Sequence, residues 1–258
     1  MALLRPEIEA LEQNGITRVA MTRIDDPSVI PLWFGEGDLV TPSFIRDAAK
    51  QALDDGLTFY GHTQGRAELR QAIARYMEGL YGRAFDPERI TVPGSSMLGI
   101  TMATQMALTT GDHALIVSPN WPNIDRSFAV TGATFDYVRQ RLTDDGWRLE
   151  LDDLYAAVTP KTRALVVNSP CNPTGWVMSR EEQEALLAFC RERDILIIAD
   201  EVYHRNVFTG DVAPSFAAIA KDEDPVVVVN GFSKAFAMTG WRLGWMVTPL
   251  RYREQMAV

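Results

Sequence analysis

The sequence has few of the residues that build disulfide frameworks or metal clusters. Cys171 and Cys190 are the only cysteines among 258 residues, and His62, His113 and His204 lie apart without the spacing of metal ligands. We therefore predict that the protein binds no metal ion. So little cysteine fits a reducing, cytoplasmic setting.

Long apolar segments and an excess of positive charge are also absent. The longest apolar runs, such as residues 195–199 and 226–229, have the length of strands and fall far below the ~20 residues of a membrane helix. Arg5 and Pro6 interrupt the first apolar residues, so no signal peptide is indicated. With 34 acidic against 25 basic residues the net charge is -9, which disfavours nucleic acid. We predict a soluble protein that binds neither membranes nor nucleic acids.

Short β-branched runs alternate with longer amphipathic segments. The runs are apolar on both faces, which is typical of a mostly parallel central sheet flanked by helices. A capping box of Ser179 and Glu182 opens the last of the helical segments. The predicted strands are residues 114–117, 164–167, 195–199 and 226–229, and the predicted helices are residues 43–54, 66–81, 96–108 and 179–193.

Polar residues follow three of the predicted strands. Residues 168–175 (Asn-Ser-Pro-Cys-Asn-Pro-Thr-Gly), residues 200–203 (Asp-Glu-Val-Tyr) and residues 230–235 (Asn-Gly-Phe-Ser-Lys-Ala) come directly after apolar runs. Ligands of open α/β sheets bind outside the carboxyl ends of the strands. The pattern therefore predicts that an amide, a carboxylate and an amine meet at one rim.

Lys234 is the candidate nucleophile at this rim. A lysine amine forms an imine with an aldehyde, and desolvation or a cationic neighbour populates its nucleophilic form. Ser233, Arg242 and several glycines surround it in the sequence, a composition that suits a phosphate held close to the backbone. The alternative interpretation is a solvated lysine in a glycine-rich turn between strands.

Residues 231–244, Gly-Phe-Ser-Lys-Ala-Phe-Ala-Met-Thr-Gly-Trp-Arg-Leu-Gly, resemble the lysine segment of the class I and II aminotransferases. This is the fold-type I family that uses pyridoxal 5′-phosphate, and the resemblance extends over nearly all of the chain. It implies that Lys234 holds the cofactor as a Schiff base and moves the substrate α-proton. It further implies that Ser233 and Arg242 bind the cofactor phosphate.

Three further residues match the family in the order in which they occur. Asp200 ends a buried strand, where a carboxylate needs a cation or donor, and the resemblance pairs it with the pyridine nitrogen. The resemblance places Asn172 and Tyr203 at the phenolic oxygen of the cofactor. Taken singly, Asp200 would more often be a helix cap, Asn172 part of a simple Asn-Pro turn, and Tyr203 a packed core tyrosine.

Two upstream segments also resemble cofactor-binding parts of the family. Gly94, Ser95 and Ser96 precede an apolar helix and match the segment that surrounds the phosphate, although a simple helix cap is the alternative. Trp121 matches the aromatic residue that stacks on the pyridine ring, although a large indole is more often part of a core.

The remaining matches concern the substrate and a second subunit. Gly35-Glu-Gly-Asp38 resembles the segment near the substrate carboxylate, with Gly37 in place of the usual proline, so Gly35, Trp121 and Asn172 are predicted to contact substrate. Tyr60 matches a tyrosine that reaches the phosphate of the neighbouring subunit. The resemblance therefore implies a homodimer with a shared active site, whereas Tyr60 as an ordinary loop aromatic is the alternative.

Family members are longer than this chain, and the arginine that binds their substrate α-carboxylate lies in their C-terminal part. We therefore expect residues 1–40 to form an N-terminal arm and part of a small domain, and residues 41–258 to form a cofactor-binding large domain, incomplete at its C-terminus. The chain is interpreted as a fragment without the C-terminal small domain.

The predicted function is transamination between an amino acid and a 2-oxo acid, within amino acid metabolism and biosynthesis. Lys234, Asp200 and Tyr203 are the predicted catalytic residues. Two alternatives remain at this point. A C–S β-lyase of the same fold would keep the same cofactor residues, and a module that binds pyridoxal phosphate without turnover would be consistent with the missing C-terminal part.

Overall fold

The fold is organised by one large β-sheet and one small hairpin. The structure is a computed structural model, and it describes residues 3–257. The strands are β1 (Ile90–Thr91), β2 (His113–Ser118), β3 (Thr134–Arg139), β4 (Arg141–Thr143), β5 (Gly146–Arg148), β6 (Thr162–Asn168), β7 (Leu196–Asp200), β8 (Val226–Gly231) and β9 (Gly244–Val247).

Seven of these strands form the central sheet in the order β1-β9-β8-β7-β6-β2-β3. The strands from β3 to β8 along this order pair in parallel, whereas β9 runs antiparallel to both β8 and β1. Strands β4 and β5 form a separate antiparallel hairpin. The predicted fold class, a mostly parallel sheet flanked by helices, is confirmed.

Helices cover both faces of the central sheet. None of the helices formed by residues 3–257 combines the length and the apolar character that crossing a membrane requires. The helices are α1 (Pro6–Glu9), α2 (Gly15–Ala20), α3 (Ser43–Asp54), α4 (Ala67–Tyr81), α5 (Ser96–Ala107), α6 (Pro122–Ala129), α7 (Leu151–Ala157), α8 (Arg180–Glu192), α9 (Phe216–Ile219) and α10 (Phe232–Ala235), with 3-10 turns at Pro87–Arg89, Thr239–Trp241, Leu250–Tyr252 and Gln255–Ala257.

The core consists of two apolar layers separated by the sheet. Successive strand residues alternate between the layers, so that Ile197 contributes to one layer and Ile198 to the other. Helices α4 and α8 complete the first layer with side chains such as Met77 and Leu186, and α5 and α6 complete the second. Each large aliphatic side chain buried in this way stabilises the fold by about 1.5–3 kcal/mol, which explains why the strand segments are apolar on both faces.

The predicted helices and strands agree with the structure to within a few residues. Helix α3 has the predicted bounds, and the capping box of Ser179 and Glu182 is present at the start of α8. The prediction omitted β1, β3, β9 and the β4–β5 hairpin. Strand β3 was missed because it lies at the edge of the sheet, where most of its residues are exposed and no apolar run forms.

The strand order places a crevice between β2 and β6. The chain passes from β2 to its neighbour β3 on one side, and then returns through the hairpin and α7 to β6 on the other side of β2. Ligands of parallel sheets bind where the strand order reverses in this way. Trp121 lies just beyond the end of β2, and Asn172 lies beyond the end of β6, so the topology brings both to this crevice.

The N-terminal segment lies on the surface of α6. The guanidinium of Arg126 donates two hydrogen bonds, of 3.1 and 2.8 Å, to the carbonyl oxygen of Glu12. The side-chain amide of Asn14 donates to Asn123 Oδ1 at 3.0 Å. Ala20 is the one buried side chain among residues 3–42, so this segment adds little to the core. The predicted division at residue 40 stays a prediction.

Two glycines allow the start of α5 to approach the ends of β8 and β9. A Cβ on Gly231 would collide with Ser96 Oγ, and a Cβ on Gly244 would lie 2.5 Å from the backbone nitrogen of Ser96. Ser96 Oγ also donates to the carbonyl oxygen of Asn230 at 2.8 Å. The sequence analysis related the glycines of residues 231–244 to a phosphate held close to the backbone, and this stays a prediction. The structure shows that Gly231 and Gly244 make room for the start of α5.

We expect Gly244→Ala to lower the free energy of unfolding by about 1–3 kcal/mol, because backbone atoms would have to move to admit the added methyl group. Chemical denaturation monitored by circular dichroism measures this change. Gly79→Ala is the control, because Gly79 is exposed in the last turn of α4 and no atom beyond the backbone of its own helix lies within 4 Å of the added carbon. It should raise stability by about 0.5–1 kcal/mol. Equal effects of the two substitutions would contradict the steric argument.

Candidate active site

Most of the predicted site residues line one cavity of about 960 Å³ beyond the carboxyl ends of the strands. This volume is within the range of small-molecule sites. The predicted residues that line the cavity are Gly35, Ser96, Trp121, Asn172, Asp200, Tyr203, Ser233, Lys234 and Arg242. Gly94, Ser95 and Tyr60 are not among the lining residues.

The amine of Lys234 lies at the centre of this group. Its Nζ donates a hydrogen bond to the carbonyl oxygen of Gly35 and lies 5.6 Å from the centre of the Tyr203 ring. Burial lowers the pKa of Lys234 from its ordinary value, and Arg242 lowers it further, while Glu36 and Asp200 raise it. The lowered pKa increases the fraction of neutral amine, which is the nucleophilic form.

Tyr203 and Asn172 form a hydrogen-bonded pair beside the lysine. The side-chain amide of Asn172 donates to the Tyr203 hydroxyl oxygen at 3.2 Å. Burial raises the pKa of Tyr203, so its hydroxyl stays protonated and remains a donor. A Cβ on Gly35 would lie 3.3 Å from both the Tyr203 hydroxyl and Lys234 Nζ. The absence of a side chain at position 35 therefore keeps the space between these two groups open.

Asp200 presents a poorly partnered carboxyl group to the same cavity. It ends β7 and is 3% exposed, and within residues 3–257 its carboxylate accepts one hydrogen bond, from the Val202 N–H at 3.3 Å. Burial raises the pKa of Asp200 to about 7. A buried acid with so few donors is costly by itself, so the position suits a ligand that brings a cationic or donor group.

The next residues in the sequence are also buried, but their polar atoms point to partners within the protein. The Glu201 carboxylate accepts from the Ser215 hydroxyl at 2.5 Å and from the Phe216 N–H at 2.8 Å, and burial raises its pKa to about 8. His204 Nε2 is 2.8 Å from the Tyr76 hydroxyl, and burial lowers the His204 pKa to about 4. Within residues 3–257, no three acidic, His or Cys side chains are grouped in a way that could hold a metal ion.

The residues predicted to bind a phosphate lie near the start of α5 and the loop after α10. Ser96, Ser233 and Arg242 line the cavity. Arg242 has a left-handed backbone with φ of 55° and donates from Nη1 to the Thr239 carbonyl oxygen at 2.8 Å. Ser95 caps α5, because its hydroxyl accepts from the Leu98 N–H at 3.0 Å. The cap interpretation of Ser95 thus matches the structure, while a role in phosphate binding stays a prediction for Gly94 and Ser95.

Apolar residues that the sequence analysis did not single out form much of the cavity wall. Trp121 lines the cavity and also packs against the core layer of α5 and α6, while its stacking on a cofactor ring stays a prediction. Ile16 of α2, residues 32–34 and residues 207–208 complete this wall. These residues carry no ionisable group, so their chemistry does not identify them in the sequence as cavity residues. The one signal that could have indicated residues 32–34 and 207–208 is their closeness in the chain to Gly35 and Tyr203.

Tyr60 lies outside the cavity and is fully exposed. Helix α3, a short distance before it in the chain, has no buried residue, although half of its circumference carries the apolar side chains of Phe44, Ile45 and Leu53. Tyr60 therefore does not contact the cavity of the chain to which it belongs. Its predicted contact with a neighbouring subunit stays a prediction.

Known proteins share both this sequence and this fold. The profile described as "Aminotransferase class I and II" matches residues 29–258. An aspartate aminotransferase of Pyrococcus abyssi is 38% identical over 229 residues, which are 88% of this chain and 59% of that protein. An aromatic-amino-acid aminotransferase of Thermococcus litoralis is 37% identical over the same shares of the two chains. The chain belongs to the class I and II aminotransferase family.

Solved structures agree with this assignment. The aspartate aminotransferase from Thermus thermophilus with maleate superimposes with a TM-score of 0.91 at 31% identity, covering 100% of this chain and 67% of that one. The aromatic aminotransferase from Pyrococcus horikoshii superimposes with a TM-score of 0.81 at 38% identity, covering 87% of this chain and 60% of that one. The present chain thus spans about three fifths of the length of the curated relatives described above.

The family uses pyridoxal 5′-phosphate, and the cavity suits this group. The buried and poorly partnered carboxyl of Asp200 matches a ring nitrogen that carries a proton. Because Gly35 has no side chain, space is left between the Lys234 amine and the Tyr203 hydroxyl. Both groups can contact an aldehyde-bearing ring placed in this space. These two observations are independent of the sequence match.

We expect Asp200→Asn to stabilise the chain without cofactor in a pH-dependent manner. The unfolded aspartate releases its proton near its ordinary pKa of 3.8, whereas the folded one keeps it up to about 7. The contribution of Asp200 to the wild-type free energy of unfolding is therefore fully present below about pH 4, and it is lost as the pH rises to about 7. The stability difference between variant and wild type should grow over this window, to a few kcal/mol at about pH 8.

Urea denaturation between about pH 4 and 8 measures this difference, and Asp47→Asn is the control, because its side chain is 65% exposed on α3. The control should change the free energy of unfolding by less than about 0.5 kcal/mol at every pH. A constant difference for Asp200→Asn across the range would show that the buried carboxyl does not titrate in this window.

Proposed function

We propose that the protein of which this chain is part transfers an amino group between an amino acid and a 2-oxo acid. The observation that carries the proposal is the convergence of the Lys234 amine, with its lowered pKa, and the buried Asp200 carboxyl on one cavity. The names of the relatives, which include aspartate and aromatic-amino-acid aminotransferases, support the same reaction type.

In this proposal each part of the cofactor has a partner in the cavity. Asp200 pairs with the ring nitrogen, Asn172 and Tyr203 donate to the phenolic oxygen, and Trp121 covers one face of the ring. Ser96, Ser233 and Arg242 hold the phosphate, as do the amides of Gly94 and Ser95. When bound, pyridoxal phosphate supplies an electron-withdrawing ring that stabilises negative charge at the substrate α-carbon.

Lys234 has two tasks in the proposed reaction. Its amine would hold the cofactor covalently, and when free it would accept the substrate α-proton. The lowered pKa of Lys234 serves both tasks, because each one requires the neutral amine. Tyr203 donates a hydrogen bond throughout, and Gly35 and Asn172, with Trp121, border the space for substrate.

The wider setting of the reaction is part of the proposal. Two buried free cysteines fit a reducing compartment, and we assign the protein to the cytoplasm and to amino acid biosynthesis. We propose a homodimer in which Tyr60 of one chain binds the phosphate in the other. The exposed ring of Tyr60 and the uncovered apolar face of α3 support such an interface.

We expect Lys234→Ala to abolish covalent attachment of pyridoxal phosphate and to lower the rate of amino-group transfer at least ~10³-fold, because both tasks of the amine are lost. Borohydride reduction followed by mass spectrometry of the peptide that contains Lys234 measures attachment. Conversion of one equivalent of amino acid to 2-oxo acid by the loaded chain measures transfer.

Lys221→Ala is the control, because Lys221 lies in a surface turn before β8 and outside the cavity. It should leave both measurements unchanged. Attachment of the cofactor to the Lys234→Ala chain at the wild-type level would refute the proposal. Release of ammonia in place of transfer to the cofactor would instead indicate the β-lyase.

A mixing experiment tests the shared site. Chains with Tyr60→Ala and chains with Lys234→Ala should each be impaired, but hybrids of the two contain one site with an intact Lys234 and an intact Tyr60 from the other chain. Random mixing should therefore restore about a quarter of the wild-type transfer rate. Absence of any recovery in hybrids whose formation is confirmed by native mass spectrometry would contradict the shared site.

A further inference from the structure

We propose that Asn168 is a positioning residue that fixes Asp200 and Asn172 relative to one another, an inference that rests on the proposed function. The side chain of Asn168 is 3% exposed and both of its polar atoms are bonded within the protein. Nδ2 donates to the main-chain oxygen of Asp200 at 3.0 Å, and Oδ1 accepts from the main-chain N–H of Asn172 at 2.7 Å. One amide therefore connects two elements of the cofactor site.

The strand register explains the bond to Asp200. Asn168 ends β6 directly opposite Asp200, which ends β7. The oxygen of Asp200 also accepts from the Ser169 N–H at 3.0 Å. Two donors thus hold the backbone of Asp200, whereas its carboxylate has the single 3.3 Å bond from Val202. The backbone is fixed while the carboxyl group is left for a ligand.

The hydrogen bond from the Asn172 N–H to Asn168 also fixes the part of the site that contains Asn172 and Tyr203. Residues 169–175 leave the sheet, and the Asn168 side chain holds the backbone of Asn172 near the strand end. The side chain of Asn172 in turn donates to the Tyr203 hydroxyl at 3.2 Å. Asn168 therefore sets the distance between the group proposed for the ring nitrogen and the pair proposed for the phenolic oxygen. Displacement of such groups by ~1 Å is costly for function.

The test compares cofactor binding and the pH titration of bound cofactor in Asn168→Ala and wild type. We expect the dissociation constant for pyridoxal phosphate to rise at least about tenfold, since two contacts lose their alignment. We also expect the midpoint of the pH-dependent absorbance change of bound cofactor to move to higher pH. The reason is that donors to the phenolic oxygen favour its anionic form, and the Asn172 donor is loosened.

Ser169→Ala is the matched control. Ser169 is also 3% exposed, and its hydroxyl accepts from the Met178 N–H at 2.8 Å, so the variant loses a buried hydrogen bond at the same strand end without affecting the Asp200 or Asn172 contacts. The melting temperature of Ser169→Ala should fall. The midpoint of its absorbance titration and its dissociation constant for pyridoxal phosphate should stay at wild-type values. An Asn168→Ala chain that changes only in melting temperature, as Ser169→Ala does, overturns the proposal.

Asn168→Asp covers the case in which Asn168→Ala does not fold. This variant keeps an oxygen that can accept from the Asn172 N–H, and above the pKa of the new carboxyl group it offers no donor to Asp200. At such pH the affinity for pyridoxal phosphate should fall while the midpoint moves less than in the alanine variant. Wild-type affinity in Asn168→Asp would overturn the proposed link to Asp200. A wild-type chain that binds no pyridoxal phosphate would instead refute the proposed function itself.

Discussion

The site depends on keeping the carboxyl group of Asp200 out of water at the end of β7. Burial raises its pKa to about 7, and a single N–H at 3.3 Å offsets little of the desolvation cost. The apolar layers on both sides of β7 must therefore supply the stability that this group removes. A carboxyl held in this way favours any ligand that brings a proton to it, so under the proposed function the energetic cost in the chain without cofactor would become affinity for the cofactor.

The sheet turns a local sequence pattern into a three-dimensional site. Parallel pairing of β6, β7 and β8 brings Asn172, Asp200 and Lys234 to one edge, although they are far apart in the chain. Antiparallel β9 then returns the chain beside β8, and Gly244 allows the start of α5 to approach it. Ser96 at that helix start thus lines the cavity because Gly231 and Gly244 leave space for it in the strands.

The sequence predicted those parts of the molecule that depend on local chemistry. Strand β7 and helix α8 were predicted because apolar periodicity and a capping box are properties of neighbouring residues. Edge strand β3 and the role of Gly231 could not be predicted, because they depend on packing between segments distant in sequence. The same limit applies to the cavity: Lys234 was singled out from the residues that surround it in the sequence and from the family resemblance, whereas residues 32–34 are apolar and carry no group that would single them out.

The segment from Asp200 to His204 shows how the structure separates polar groups that line the cavity from polar groups that are bonded inside the protein. Two adjacent acids are both buried with raised pKa values, yet the Glu201 carboxylate accepts two hydrogen bonds, from the Ser215 hydroxyl and the Phe216 N–H, whereas the Asp200 carboxylate accepts one, of 3.3 Å. Likewise, His204 is bonded to Tyr76 inside the protein, while the Tyr203 hydroxyl lines the cavity. Burial and pKa alone would place Glu201 and Asp200 in one class. The unmet bonding capacity of Asp200 distinguishes them, because a group without partners in the protein is the one that a ligand can satisfy.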